Sequence, residues 1–196
     1  VRTNTWLSVR EININDRNNT SSDTPSGGDI AVTPYNSGWD IYQGAAGNLT
    51  DGNDGTYVWY DPGNISGGDH SNAGEYFGMD AGSVVNVGTV RFVVGASGSV
   101  DKWTSYHMEY SVDGQSWTTV ASYTGASSGQ DIIEEDLGGV EARYVRLVND
   151  QHVAKWIRFS EMSMTDANYK TTDYTYTNND ACTTIGNDHT LSSTSL

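Results

Sequence analysis

The sequence predicts an all-β domain built as a β-sandwich, on three observations. Short runs of alternating apolar and polar residues recur along the chain, and no segment carries the spacing of an amphipathic helix. Glycine-rich turns separate the runs. One pair of runs, "YHMEYSVDGQSWTTVASY", flanks an Asp113-Gly114 turn, a strong hairpin signal. With 196 residues, 36% of them apolar, the chain suits one domain with tails.

In chain order, residues 1–30 begin with a strand, "TWLSVREININ", and continue into the turn-rich linker "DRNNTSSDTPSGGD". The body occupies residues 31–166. It opens with "AVTPYNSGWDIYQGAAGNLTDGNDGTYVWY", which holds a short helical turn or loop ahead of an acidic stretch. "GEYFGMDAG" alternates, and "VGTVRFVVG" is an apolar run bounded by glycines, as a central sandwich strand would be. The hairpin follows, then "GQDIIEEDL", the cleanly alternating "ARYVRLVN" and the closing "KWIRFSEMSM". Residues 167–196 are polar and dotted with tyrosine, and read as a linker or the start of a following module.

Two runs echo each other. Trp6 to Ile14 and Trp156 to Met164 share one pattern, and in both the apolar positions change parity at a glutamate, Glu11 or Glu161. A strand alternates with period two, so the parity change requires a bulge that aims each glutamate sideways. Chance similarity between short strands is the plain alternative. The sharper reading makes residues 1–15 the closing strand of an upstream module, or an extra edge strand of this body.

Charge narrows the partners. Lys and Arg number 10 against 25 Asp and Glu, a formal charge of -15. That argues against a cationic groove for nucleic acid and against binding to an anionic lipid surface, and favours a calcium ion or a neutral ligand. No apolar run approaches the roughly 20 residues that insert in a bilayer. Cys182 is the only cysteine, so no disulfide forms within the chain. The start at Val1, without a signal-peptide pattern, reads as that of a fragment of a longer chain. Few lysines beside abundant Asn, Thr, Ser, Gly and Tyr suit an extracellular protein, secreted or attached to a cell wall.

"DGNDGT" is the clearest candidate site. Calcium takes six to eight hard oxygens on a flexible loop, and Asp51, Asn53, Asp54 and Thr56 lie within six residues. Gly52 and Gly55 let the backbone fold tightly enough for carbonyls to converge. An ordinary surface turn is the alternative, because these are common turn residues.

Sugar recognition needs an apolar face for the ring and a few fixed polar groups. Three clusters offer that: Trp59, Tyr60 and Asp61 with His70; Asp101, Lys102 and Trp103; and Asn149, Asp150, His152, Lys155 and Trp156. Trp39 and Tyr42 form a further aromatic pair. Each tryptophan has a competing reading as a core plug. Catalytic patterns are missing. The four histidines form neither HxH nor HExxH, and no nucleophile elbow, phosphate loop or dinucleotide fingerprint is present. The acids of "DIIEED" read as a solvated edge. A small glycosidase working through paired carboxylates is the class-different alternative.

Taken together, "LTDGNDGTYVWY", "VGTVRFVVG", "DKWTSYHMEYSVDGQSWTTV", "ARYVRLVND" and "KWIRFSEMSM" resemble the coagulation factor 5/8 type C, or discoidin-like, domains. More narrowly they are similar to family 32 carbohydrate-binding modules of secreted bacterial β-N-acetylglucosaminidases and hyaluronidases. The resemblance covers about residues 35–164. It implies a galactose-binding-domain-like jelly-roll sandwich, a structural Ca2+ and no catalysis. The implied metal ligands are Asn48 and Ser160 through carbonyls, with Asp51, Asn53, Thr56 and Glu161. Implied partners are glycans ending in GlcNAc, GalNAc or galactose, plus tandem modules and a catalytic domain in the same parent chain. The segment between "RFVVG" and "DKW" lacks the Arg and Asn of galactose-preferring members, which turns the expectation toward GlcNAc or N-acetyllactosamine. A calcium-stabilised protein-binding or structural module is the other alternative.

Overall fold

The computed structural model describes residues 28–63 and 70–168, together with the backbone of Thr175–Tyr176 and Cys182–Thr184. The echo at Trp6 to Ile14 lies outside the described residues.

Eight strands form the body: β1 Thr33–Asn36, β2 Asp40–Gln43, β3 Val58–Asp61, β4 Tyr76–Val94, β5 Ser105–Ser111, β6 Thr118–Thr124, β7 Asp131–Asn149 and β8 Ile157–Asp166. Their order is β2-β3-β8-β4-β7-β5-β6, with β1 added to β4 and every pairing antiparallel. The short 3-10 turn Ala46–Leu49 precedes the acidic stretch, where the sequence places a helical turn. Farther on, β9 Thr175–Tyr176 and β10 Cys182–Thr184 pair as a separate ribbon. Among the described residues no helix is long and apolar enough to cross a membrane.

The sequence divides β4 into two strands and β7 into two strands. Each is instead one 19-residue strand. A fully extended strand would carry Phe77 roughly 50 Å from Phe92, yet their ring centroids are 6.4 Å apart. β4 therefore folds over on itself, with register shifts between Asp80 and Val85 and between Val87 and Thr89. Its first half pairs with β1 and the end of β7. Its second half pairs with β8 and the start of β7. The two layers share these bent strands, which makes a jelly-roll sandwich from one continuous ladder. Phe77 of one layer stacks on Phe159 of the other at 3.8 Å, with Trp103, Tyr60 and Phe92 around them.

Within one layer β4 and β7 approach closely at Gly78, opposite Arg146. A Cβ there would lie 2.5 Å from the Val145 carbonyl oxygen and 2.6 Å from the Arg146 Cβ. Gly78→Ala is expected to lower stability by about 1–3 kcal/mol in urea unfolding, the usual cost of overpacking. The hairpin joins β5 and β6, with Gly114 at φ +72° and the Asp113 carboxylate accepting from the Gln115 and Ser116 amides. Its connection spans residues 112–117, longer than a two-residue turn, because Ser111 also caps the loop from the strand end.

Candidate functional site

The parity change at Glu161 corresponds to a bulge. Val94 faces Phe159 and its neighbour Val93 faces Glu161, leaving Ser160 as the extra residue. The bulge turns Glu161 inward, where it is only 4% exposed. The glycine-rich loop between β2 and β3 comes to meet it. The Asn53 amide donates both to Asp51 Oδ1 at 2.9 Å and to Glu161 Oε2 at 3.1 Å. Two carboxylates far apart in sequence thus share one N–H. Thr56 Oγ1 sits 2.9 and 3.1 Å from the two Asp51 oxygens, 3.3 Å from the Asn48 carbonyl and 2.8 Å from the Asn53 carbonyl. Burial first, and then the Asp51 charge, push the Glu161 carboxyl above its ordinary range, against the pull of the Met162 amide. A cavity of about 1290 Å³ opens over this loop, lined by Asp51, Asn53, Glu161 and the segment Asp29 to Val32.

Among the described residues no three His, Cys, Asp or Glu side chains gather in metal-binding range. An ion here would therefore draw on two carboxylates, a hydroxyl and backbone carbonyls. That donor set is all oxygen, which suits calcium. Buried Glu161 and the exposed Asp51 repel each other, which a cation would relieve, so the residues fit the ion. The Ser160 hydroxyl is engaged elsewhere, donating to the Gly95 carbonyl at 2.8 Å and accepting from Gln130. Only its backbone carbonyl remains for such a role. Asp54 turns away and is bound by Arg91.

The expected sugar-facing residues divide sharply. Trp103 and Lys102 are 0% exposed, and Tyr60, Trp39 and Asn149 are also buried. Trp103 packs on Trp39, Tyr106 and Phe159 and donates to Ser71 Oγ at 3.0 Å. Lys102 Nζ lies 2.6 Å from Asp131. Asn149 donates to the Asn72 carbonyl at 3.0 Å. Burial pushes the Tyr60 hydroxyl up to about 12. These five face the core, because loop-end positions that read as exposed are drawn under the sandwich edge. Asp61 is half-buried and caps a turn by accepting from the Gly63 amide. His152 is exposed beside Asn72 and the ring of His70, at 4.9 Å.

Tyr42 and Trp59 come together on the outer face of β2 and β3. Trp156 joins them, with ring separations of 4.4 to 5.2 Å. Tyr42 is 58% exposed, whereas Trp59 and Trp156 are half-buried. Arg158, which sequence reasoning missed, stacks on Trp59 at 3.9 Å and pairs with Asp101 at 3.3 Å. The signal was available in strand parity. Ile157 and Phe159 point inward, so Arg158 between them points out beside Trp59, its cross-strand partner.

A family model described as F5/8 type C domain matches residues 18–162. No curated protein matches the chain. Three solved structures from Clostridium perfringens are similar. CpGH89CBM32-5, in complex with GalNAc-β-1,3-galactose, is 15% identical with a TM-score of 0.53, over 68% of this chain and 94% of that one. CBM32-1 from a family 31 glycoside hydrolase is 13% identical with a TM-score of 0.55, over 72% and 98%. The family 32 CBM of NanJ, in complex with galactose, is 16% identical with a TM-score of 0.54, over 70% and 97%. At these identities the likeness is one of fold.

Proposed function

The chain belongs to the F5/8 type C domain family, and from that premise we propose that it is a non-catalytic carbohydrate-binding module serving a secreted bacterial glycoside hydrolase. The observation that carries this reading is the surface formed by Tyr42, Trp59 and Trp156, with Arg158 against the Trp59 ring. Aromatic faces accept the apolar side of a sugar ring, and a guanidinium beside them supplies donors for hydroxyls. Similar folds hold galactose and GalNAc-β-1,3-galactose, which supports a glycan as the ligand class.

Within that class, terminal GlcNAc, as in N-acetyllactosamine, stands first, ahead of GalNAc and galactose. The segment Ala96 to Val100 offers no Arg or Asn for an axial hydroxyl, so an N-acetyl group supplies the missing contacts. Calcium, held by Asn48, Asp51, Asn53, Thr56, Ser160 and Glu161, would fix the loop against β8. It would contribute rigidity and no chemistry.

On a surface this open few anchors survive the costs of association, so affinity is modest and tandem modules add avidity. Trp59→Ala and Trp156→Ala are expected to weaken glycan binding at least about tenfold, as loss of an aromatic anchor does. A glycan array in calcium checks this. Retained binding by both variants would remove the surface from the reading. An array blank for the wild type would favour a protein-binding module, and hydrolysis of aryl N-acetylglucosaminides would favour a glycosidase.

A further inference from the structure

Spacing alone nominates Asp54 as a metal ligand. Its carboxylate is committed elsewhere. Arg91 of β4 grips it with both terminal nitrogens, Nη1 at 2.9 Å and Nη2 at 2.6 Å. The Arg91 Nε donates to Glu134 of β7 at 3.2 Å. The Asp54 carbonyl accepts from Gln130 Nε2, which also donates at 3.0 Å to Ser160, the bulge residue. Ser160 closes the network by donating to the Gly95 carbonyl at 2.8 Å. The Arg91 guanidinium holds the Asp54 carboxyl below its ordinary range.

We infer that Asp54 and Arg91 form a brace that holds the loop in its ligand-ready shape with no ion bound. They are positioning residues, with Gln130 as a second tie between the loop and the bulge. The loop has three amide hydrogen bonds of its own, from Asn53, Gly55 and Thr56. Most of its residues are exposed, and a short exposed turn loses several conformational degrees of freedom on ordering. Two ion-paired hydrogen bonds to a strand shared by both layers offset that cost. The loop then meets an ion already folded, and affinity depends on residues that never touch it. The calcium part of this inference rests on the proposed function; the brace itself does not.

Amide hydrogen exchange in chelator tests the brace directly. Asp54→Asn and Arg91→Gln are expected to speed exchange at Asn53, Gly55 and Thr56 about tenfold, the effect of losing one charge-assisted pair. Core amides such as those of Phe92 and Leu147 should keep their protection. Glu134→Gln should change little, since that partner is largely exposed. In calcium titrations Asp54→Asn should bind about tenfold more weakly than the wild type. Loop amides in Asp54→Asn that exchange at the wild-type rate would overturn the inference. A wild type that takes up no calcium, with exchange still accelerated in the variants, would sink the calcium reading and leave the brace standing.

Discussion

Trp103→Ala is expected to unfold most of the domain at 37 °C or to prevent its expression, while Trp103→Phe is expected to fold and to bind glycan as the wild type would. The ring is fully buried among Trp39, Tyr106 and Phe159. Truncating such a ring costs about 3–5 kcal/mol, a large share of the roughly 5–15 kcal/mol available to a domain. The variant also strips a donor from Ser71 Oγ, which accepts from Trp103 Nε1 and from Asn149 Nδ2. The Phe variant keeps most of the packing and loses the hydrogen bond, for about 1–3 kcal/mol. Urea unfolding with parallel glycan binding separates the roles. A Trp103→Phe protein that is stable but blind to sugar would return Trp103 to the binding surface.

Glu161→Gln is expected to abolish the thermal stabilisation that calcium gives. For a ligand at a hundredfold excess over its Kd the stabilisation is about 2.7 kcal/mol, which corresponds to a rise on the order of 5–10 °C for a domain of this size. Without metal the wild type carries the cost of a buried glutamate beside Asp51. The variant removes the charge the ion would neutralise and keeps the side-chain shape. Scanning calorimetry with calcium and with chelator reads the difference. An unchanged calcium shift in Glu161→Gln would remove the residue from the ligand set.

The strand content, the hairpin and the bulge were legible in the sequence because each leaves a local mark. Period-two alternation marks β5 and β7, Asp113-Gly114 marks the turn, and the broken parity from Trp156 to Met164 marks the bulge that turns Glu161 inward. The continuity of β4 and β7 was not legible. A bend within a strand resembles the loop between two strands, since Gly82 and Gly88 satisfy both. The burial of Trp39, Tyr60, Lys102, Trp103 and Asn149 was hidden for a related reason. Trp39, Lys102, Trp103 and Asn149 stand in loops or at a strand end and Tyr60 in the four-residue β3, and whether such positions face solvent depends on which segment covers them. Asp54 shows the limit of spacing most plainly. It has the right side chain in the right stretch, and its partner Arg91 is far away in sequence and on another strand. Arg158 was overlooked for the opposite reason, as a charged residue inside a run read only for its apolar members.

We propose a calcium-fixed sandwich that presents Tyr42, Trp59 and Trp156 to a sugar. A crystal structure grown in calcium and soaked with N-acetyllactosamine tests it most directly. The expected result is a calcium ion between Asp51 and Glu161 and a sugar ring lying on that aromatic surface within reach of Arg158. Sugar density at another face, or none on this surface at saturating ligand, would contradict it.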